Sequence, residues 1–373
     1  MRLVYIILFV FFVAALSSAH AGKGKIFYLY NANMAAFTGR PGAAAPAGSV
    51  DLMQYDLATK SRAAIIKGLC NATGSFIRFG HEVAVSDDSR FVAAGGYVWD
   101  TLAGKKRPAY RCVDYEQMFW LGNRYLATVP DDVSKTCPIA IYDAMANRKI
   151  RVPQYVGSVD CVERSIVANS IILAISPSGD EMDTAYRQFA NGNRQQLFRS
   201  KRDISYITDL PDSPGFIYHP VEFGVLNYRS RSGKIFRLRL DGDNFDDSNW
   251  NFTSRVLANT GKMALLRCWN HGEPHIASDF NLYVVDIHSL SFTRKDSFSG
   301  NVFFEDYDLI GQLGTSPRVL IKEQTGSGDS DLTIGTRRDH FCVWDYDLTK
   351  FDAPGKLLFD SGAGCLDVMW HHG

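Results

Sequence analysis

A short segment that ends in aspartate recurs along this chain of 373 residues and constrains the fold more than any other feature. Five clear copies share an aromatic or β-branched residue close before the aspartate, and they end at Asp56, Asp100, Asp143, Asp286 and Asp345. The first three aspartates are 44 and 43 residues apart, and two degenerate copies at 185–189 and 235–240 fill the long gap that follows. The spacing predicts seven copies of one structural unit.

The clearest unit divides into four short strands, at 81–85, 90–94, 97–100 and 105–110. The second and third strands are separated by Gly95-Gly96, which suits a two-residue hairpin because both turn positions need positive φ. Four strands in a repeat of 40 to 50 residues are typical of a β-propeller. We therefore predict an all-β fold with seven four-stranded blades, and six or eight blades remain as alternatives.

The two ends of the chain predict how this ring closes. Only two strands precede the end of the first unit, the first of them at 25–30, so the first blade lacks its innermost strand. The C-terminal segment 365–370 can supply that strand and remove two exposed sheet edges. We expect one C-terminal strand and three N-terminal strands in the first blade.

Parts of the repeat resemble a known family. The series Gly80-His81, Val85-Ser86-Asp87-Asp88 and Tyr97-Val98-Trp99-Asp100 resembles a propeller repeat of the WD or YVTN type, and Leu282–Asp286 is similar. The resemblance lies at the level of the repeat and implies a fold, not an activity. We expect the closing aspartates to bond the backbone amides of their turns and so to be structural.

The N-terminus predicts a secretory signal peptide at 1–21. An apolar run from Leu3 to Leu16 is followed by Ala19-His20-Ala21, a cleavage pattern of small residues. The run is too short for a membrane span of about 20 residues, although an uncleaved anchor stays an alternative. We expect residues 22–373 to form a single propeller domain, secreted or periplasmic, with no membrane span after cleavage.

Charge and cysteine spacing exclude some functions. Forty basic residues balance 40 acidic ones, which argues against nucleic acid as a partner because such proteins need a basic face. The seven cysteines lack CxxC spacing, which argues against a zinc site. Outside the cytosol they can form disulfides, and we expect two or three bridges beside buried thiols.

Long connections carry the candidate binding residues. Propellers bind ligands mainly on the face formed by the connections between second and third strands and between blades, and polar segments here are expected to meet on that rim. The candidate binding residues are Arg40, Asp114, Asp131, Asp132, Arg164, Asp180, Glu181, Asp183, Asp329 and Asp331.

Two further segments suggest a metal site or a catalytic site. Asp241, Asp243 and Asp246 resemble the opening of an EF-hand loop, but position six is aspartate rather than glycine and position twelve is Phe252, so we predict no cofactor beyond an optional structural calcium ion. By the strand assignment this segment is a turn between third and fourth strands, on the face opposite the binding rim. Glu273 and His275 resemble the acid-bearing strand of arabinanase-type glycosidases, in which a glutamate protonates the leaving oxygen, but no second carboxylate segment matches.

These observations favour a module that binds an extracellular protein, peptide or glycan. The alternative is a propeller enzyme of glycosidase, lyase or lactonase type with a carboxylate and histidine site at the central channel.

Overall fold

The computed structural model describes residues 24–35, 48–72, 80, 83–108, 115–134, 136–177, 182–210, 215–220, 226–238, 250–257, 260–269, 278–300, 307–325, 340–350 and 353–371. The expected signal peptide lies outside this range. None of the helices in the described part has the length and apolar character needed to cross a membrane.

Seven antiparallel sheets follow one another along the chain, and we number them as blades I to VII. Blade I contains β1 (Lys25–Tyr30), which is followed by the short helix α1 (Ala32–Ala35), and β2 (Gly48–Asp56) and β3 (Ser61–Ala72). Blade II contains β4 (Val83–Val85), β5 (Phe91–Ala94), β6 (Tyr97–Asp100) and β7 (Lys105–Pro108). Blade III contains β8 (Tyr115–Leu121), β9 (Tyr125–Pro130), β11 (Ala140–Asp143) and β12 (Arg148–Ile150), while the two-residue strand β10 (Asp132–Val133) joins the next sheet.

The remaining blades repeat this order from the innermost strand outward. Blade IV contains β13 (Gly157–Arg164), β14 (Ser170–Ser176), β15 (Thr184–Phe189) and β16 (Arg194–Arg199). Blade V contains β17 (Ile204–Asp209), β18 (Phe216–Pro220), β19 (Leu226–Arg229) and β20 (Ile235–Leu238). Blade VI contains β21 (Trp250–Leu257), β22 (Lys262–Trp269), β23 (Ser278–Asp286) and β24 (Ser291–Gly300). Blade VII contains β25 (Tyr307–Gln312), β26 (Arg318–Thr325), β27 (His340–Asp347) and β28 (Lys356–Asp360).

The last strand, β29 (Cys365–His371), pairs with β1 and becomes the innermost strand of blade I. Trp370 stabilises the junction of blades VII and I, because its ring Nε1–H donates to the Gln312 carbonyl of blade VII at 3.1 Å. A Cβ at Gly24 or Gly311 would lie 1.8 or 2.2 Å from the Trp370 ring, so both positions must be glycine. The seven-bladed ring, with closure of the first blade by the C-terminal strand, agrees with the prediction.

Apolar packing between blades holds the ring together. Seven buried clusters each join two neighbouring blades, including blade VII to blade I. The second strand of a blade can pack against both neighbouring blades. In β5, Phe91 and Ala93 pack toward blade III, while Val92 and Ala94 pack toward blade I. A strand buried on both faces has no polar alternation, which explains the unbroken apolar runs.

The recurring aspartates have the structural role that the sequence predicted. Asp100 and Asp143 accept hydrogen bonds from the turn amides of Ala103 and Ala146. Each also pairs with an arginine near the start of the second strand, Arg90 or Arg124. In blade VII the two roles are divided, since Asp345 pairs with an arginine and Asp347 accepts the turn amide. In blades II, III and VII an arginine at or near the start of the second strand therefore neutralises the aspartate of the third strand.

In blades I and VI a lysine stands opposite the aspartate in the strand register, Lys25 opposite Asp56 and Lys262 opposite Asp286.

Two strand assignments from the sequence were wrong. Residues 235–240 were assigned to the third strand of their blade, but β20 is the fourth strand and β19 is the third. Arg164 was assigned to a connection, but it belongs to the innermost strand β13. The first error arose because blade V lacks the aspartate that marks the end of the third strand elsewhere, and the second because nothing local separates the end of an innermost strand from a connection.

The cysteines form fewer bridges than expected. Cys70, Cys161, Cys342 and Cys365 carry thiols, and of the remaining three Cys137 is disulfide-bonded. With four thiols among seven cysteines, the chain can hold at most one internal disulfide. Cys365 lies in the apolar cluster between blades VII and I, and Cys342 is a buried residue of β27. Burial raises the pKa of both thiols.

Candidate functional site

The two ends of the ring differ in the length of their connections. We call the end where the innermost strands begin the loop face, and its connections between second and third strands span 31–47, 95–96, 131–139, 177–183, 221–225, 270–277 and 326–339. We call the opposite end the turn face, and its connections between first and second strands span 86–90, 122–124, 165–169, 210–215, 258–261 and 313–317. The loop face therefore offers longer segments that the sheets themselves do not need.

Three predicted binding residues lie together on the loop face beside blade IV. Asp132 belongs to β10 and stands opposite Ser158 of β13, and the carbonyl of Asp131 accepts from the Val159 amide at 2.6 Å. Asp183 immediately precedes β15 of the same blade. Asp131 and Asp132 are exposed, whereas Asp183 is completely buried.

Arg164 was expected on this rim and lies elsewhere. It ends β13, six residues beyond Ser158, which places it about 20 Å away along the strand at about 3.3 Å per residue. There its guanidinium forms an exposed bidentate ion pair with Asp87, on the turn between the first two strands of blade II. Arg164 is therefore a residue of the turn face.

The other predicted site residues lie outside the described part of the chain: Arg40, Asp114, Asp180, Glu181, Asp329, Asp331, Glu273, His275, Asp241, Asp243 and Asp246. For Asp241, Asp243 and Asp246, the flanking strands nevertheless correct the strand assignment that was made from the sequence. Residues 239–249 connect β20 to β21 and so join two blades, whereas the sequence assigned them to a turn between third and fourth strands. The end of β20 and the start of β21, which this connection joins, lie at the loop face.

Strand β10 changes the mouth of the central channel. It pairs with the free edge of β13, so it extends blade IV toward the channel. Its Val133 is buried in the apolar cluster between blades III and IV, while Asp132 stays exposed. The 131–139 connection is thereby fixed over the innermost strand and presents acidic groups there.

Three carboxyl groups lie close together at the innermost strand β13 of blade IV. Asp160 of β13, Asp183 and Asp203 can each place one oxygen so that all three lie within 4.8 Å of one another. Asp183 is held by its neighbours, since its Oδ2 accepts from the Ile204 amide at 2.5 Å and its carbonyl accepts from the Ser200 amide. Asp203 is exposed, so the cluster reaches solvent on one side.

A β-bulge directs Asp160 into this cluster. Val159 pairs with Ile175 and Cys161 with Ala174, so Asp160 is the additional residue that has no partner across the ladder. A bulge of this kind turns a side chain away from the regular alternation of the strand. Sequence analysis did not select Asp160 or Asp203, because neither the bulge nor the meeting of three separate segments leaves a local signal.

No basic group in the described part of the chain neutralises these carboxyls. Within the described residues none of the three forms a salt bridge, and two buried oxygens, Asp160 Oδ2 and Asp183 Oδ1, have no hydrogen-bond partner. Burial raises the pKa of Asp183, and the nearby Asp160 raises it further. Burial also raises the pKa of Asp160. The arrangement suits a bound cation or a proton shared between two carboxyls.

A second unusual carboxyl lies deeper in the channel. Burial raises the pKa of Glu163 to about 7, while Arg255 of blade VI lowers it and Asp308 of blade VII raises it. Blades VI and VII do not adjoin blade IV, so these charges act on Glu163 across the channel. The channel therefore contains a carboxyl that titrates near neutral pH.

A serine and a histidine form a pair near the same mouth. Ser205 lies in a bulge of β17, and its hydroxyl is 2.7 Å from Nδ1 of His219 on β18. His219 is buried, its Nε2 has no partner, and burial lowers its pKa to about 4. A catalytic histidine normally has a carboxylate on its second nitrogen to stabilise the imidazolium, and His219 has none among the described residues.

Another group of potential metal ligands lies in blade VII. His340, Cys342 and Asp360 also place their ligand atoms within 4.8 Å of one another. Burial raises the pKa of the Cys342 thiol to about 11, and the nearby Asp360 adds to this effect. Since metals bind the thiolate, this set is the weaker of the two.

Comparisons with known proteins support the fold and no specific activity. No protein family and no curated protein matches the sequence. Among solved structures, the chain is similar to the "putative 6-phosphogluconolactonase" of Bacteroides fragilis, with a TM-score of 0.54, 9% identity, and coverage of 94% of this chain and 98% of that one.

Propellers with WD40 repeats are also among the similar structures. The WD40 domain of SCAP from fission yeast has a TM-score of 0.47 and 9% identity, and 86% of this chain and 82% of that one are covered. The β-propeller domain of Cps50 (Swd1) from Myceliophteria thermophila has a TM-score of 0.47 and 12% identity, with coverage of 77% and 88%. At such identities the shared property is the architecture alone: this chain is a seven-bladed β-propeller.

Proposed function

We propose that this propeller is a secreted or periplasmic binding module that takes an extracellular protein, peptide or glycan on its loop face. The observation that carries the proposal is the β10 segment, which folds back onto β13 and fixes Asp131 and Asp132 at the mouth of the channel. The segment follows the second strand of blade III but pairs with blade IV, so its ordered position is not required by the sheet of its own blade. Ordered connections of this kind commonly carry binding residues.

The difference between the two faces supports this choice. On the turn face, buried aspartates are occupied by arginines and turn amides, so little hydrogen-bonding capacity is left for a ligand. On the loop face, exposed acidic groups stand beside longer connections. Binding residues placed on long connections over a rigid scaffold are the usual arrangement of recognition proteins.

An enzyme is the second candidate, and the Ser205–His219 pair at the same mouth favours it. In that case Ser205 would act as nucleophile and His219 as base on a lactone or another ester-like substrate, the class that the name of the Bacteroides protein suggests. We rank it second because a histidine with a pKa of about 4 is a weak base near neutral pH.

Binding can be tested with arrays of glycans and peptides probed with the purified chain. We expect a retained ligand to be lost in the double variant Asp131→Ala/Asp132→Ala. The matched control is Arg164→Ala, which removes an exposed charge from the turn face and should leave binding unchanged. Loss of binding in the control alone, with retention in the double variant, would assign recognition to the turn face and reject the proposal.

The enzyme candidate has a separate test. Hydrolysis of a panel of lactones and esters should disappear in Ser205→Ala if that hydroxyl is the nucleophile. Activity that is equal in Ser205→Ala and in the wild type excludes this pair as the catalytic group.

A further inference from the structure

The Asp160–Asp183–Asp203 cluster joins three segments that are distant along the chain. Asp160 comes from the bulge in β13, Asp183 from the end of the 177–183 connection, and Asp203 from the connection between blades IV and V. These segments meet where blade V begins, because the Asp183 carboxylate accepts the amide of Ile204, the first residue of β17.

We propose that Asp160, Asp183 and Asp203 form a binding site for a divalent cation, with calcium as the expected ion. These residues are other than Asp241, Asp243 and Asp246 of the EF-hand-like segment, and the proposal does not depend on what the loop face binds.

The donor atoms fit a hard cation. Carboxylate oxygens are the ligands that Ca²⁺ prefers, at about 2.3–2.6 Å, so two oxygens on opposite sides of one ion stand about 4.6–5.2 Å apart. The three carboxyls place their oxygens within 4.8 Å of one another, which is close enough to share one ion. Nitrogen and sulfur ligands, which would favour zinc, are absent from this set.

Asp183 provides an independent reason to expect a ligand. Its side chain is completely buried, Oδ2 is held by the Ile204 amide, and the remaining oxygen Oδ1 has no partner. An unpartnered carboxylate oxygen away from water is costly, and native proteins rarely leave one in place. Asp160 Oδ2 is buried and unpartnered in the same cluster.

The contrast with other buried aspartates strengthens this argument. Asp100, Asp143 and Asp345 are also buried, and each of them is neutralised by an arginine at hydrogen-bond distance. At those carboxylates the counter-charge is an arginine guanidinium of the chain itself. At the cluster, no described side chain does so, and a bound ion would take that role.

The exposed Asp203 leaves one side of the cluster open to solvent. Calcium takes about six to eight oxygens, so water would complete the coordination there. An ion at this place would link blade IV to blade V near the mouth of the channel, and its removal should loosen that junction more than the rest of the ring.

A shared proton between Asp160 and Asp183 is the competing explanation, and a measurement separates the two. The full chain is stripped with EDTA, and CaCl2 is titrated at fixed pH by isothermal calorimetry, with the melting temperature followed in parallel. We expect one calcium ion per chain and a higher melting temperature with calcium, since an ion that binds only the folded state stabilises it.

The variants are chosen to keep the fold. Asp183→Asn retains an oxygen for the Ile204 amide but removes the charge, and it should weaken calcium binding about tenfold or more. If this buried variant does not fold, the exposed Asp203→Asn serves the same purpose. Asp286→Asn, on the turn face and bonded to its own turn, is the matched control and should bind calcium like the wild type.

Two results would overturn the proposal. Absence of calcium binding and of any calcium-dependent melting shift in the wild type would assign the cluster to proton sharing. Equal calcium affinity in the Asp183 or Asp203 variant and in the Asp286 control would place the ion elsewhere. Neither result bears on the loop-face ligand, which is measured with the Asp131 and Asp132 variants.

Discussion

Buried aspartates occur at both ends of this propeller, but their surroundings are opposite. On the turn face, Asp143 receives two hydrogen bonds from Arg124 and one from the Ala146 amide. On the loop face, Asp183 has one backbone partner and faces two other carboxyls. The Arg124 guanidinium lowers the pKa of Asp143, whereas burial raises that of Asp183. The same residue type therefore stabilises the ring at one end and leaves an unsatisfied site at the other.

This comparison teaches where the chain can accept a ligand. A carboxylate whose lone pairs are all engaged contributes to stability and cannot easily bind anything else. A desolvated carboxylate without a counter-charge lowers stability until a cation arrives. Function is expected where the repeat omits its own neutralising partner.

The largest effect is expected from Asp143→Ala on the turn face. The substitution leaves Arg124 and the Ala146 amide without their acceptor, and we expect the free energy of unfolding to fall by about 2–3 kcal/mol. Urea unfolding measures this, with Asp56→Ala as control, because Asp56 caps its turn without a buried arginine pair. An equal loss in the two variants would mean that the arginine pair adds nothing.

The channel between the faces should show a pH effect. The folded pKa of Glu163 is about 7, above the unfolded value of 4.5, so the folded state holds a proton that the unfolded chain releases. Its contribution to the free energy of unfolding therefore falls as pH rises from about 4.5 to about 7 and is constant above that range. The difference between the two pKa values sets an upper limit of about 3 kcal/mol, and because the Glu163 side chain is only half-buried, solvent screening reduces the expected change to about 1–2 kcal/mol.

Comparison of wild type with Glu163→Gln isolates this effect, since glutamine cannot titrate. Urea unfolding at a series of pH values should show that the stability difference between the two chains changes only between about pH 4.5 and 7. A difference independent of pH would place the pKa of Glu163 in its ordinary range.

On the loop face, Asp183→Asn should have the opposite sign to Asp143→Ala. In EDTA, asparagine still accepts the Ile204 amide but cannot take up the negative charge that burial and the nearby Asp160 disfavour, so the free energy of unfolding should rise by about 1 kcal/mol. Chemical unfolding at a single pH measures it. A decrease would show that Asp183 is stabilised by its surroundings as Asp143 is, and the contrast between the faces would fail.

The smallest effect is expected from Arg164→Ala. Its ion pair with Asp87 is exposed on both sides, and exposed pairs contribute little. We expect a change of at most about 0.5 kcal/mol, which thermal unfolding in low and high salt can check. A larger loss would show that this pair, which links blades II and IV, contributes measurably to the free energy of unfolding.

The site illustrates what local sequence could and could not predict. Asp131, Asp132 and Asp183 were correctly placed on the loop face, because acidic residues in long connections are visible along the chain. Arg164 was misplaced, since nothing local separates the last residue of an innermost strand from a connection. Asp160 and Asp203 were missed, because a bulge and a meeting between the segments at 160, 183 and 203 exist only after folding.

The sequence by itself determined the ring. Spacing of the closing aspartates, apolar runs in the second strands and a C-terminal strand without a local partner depend on short-range pattern, and each blade forms from contiguous residues. Only the tertiary structure decided which face each acidic residue occupies and which carboxyls lack a counter-charge. These properties depend on burial and on distances between separate segments, and electrostatic cost arises from three-dimensional proximity rather than from order along the chain.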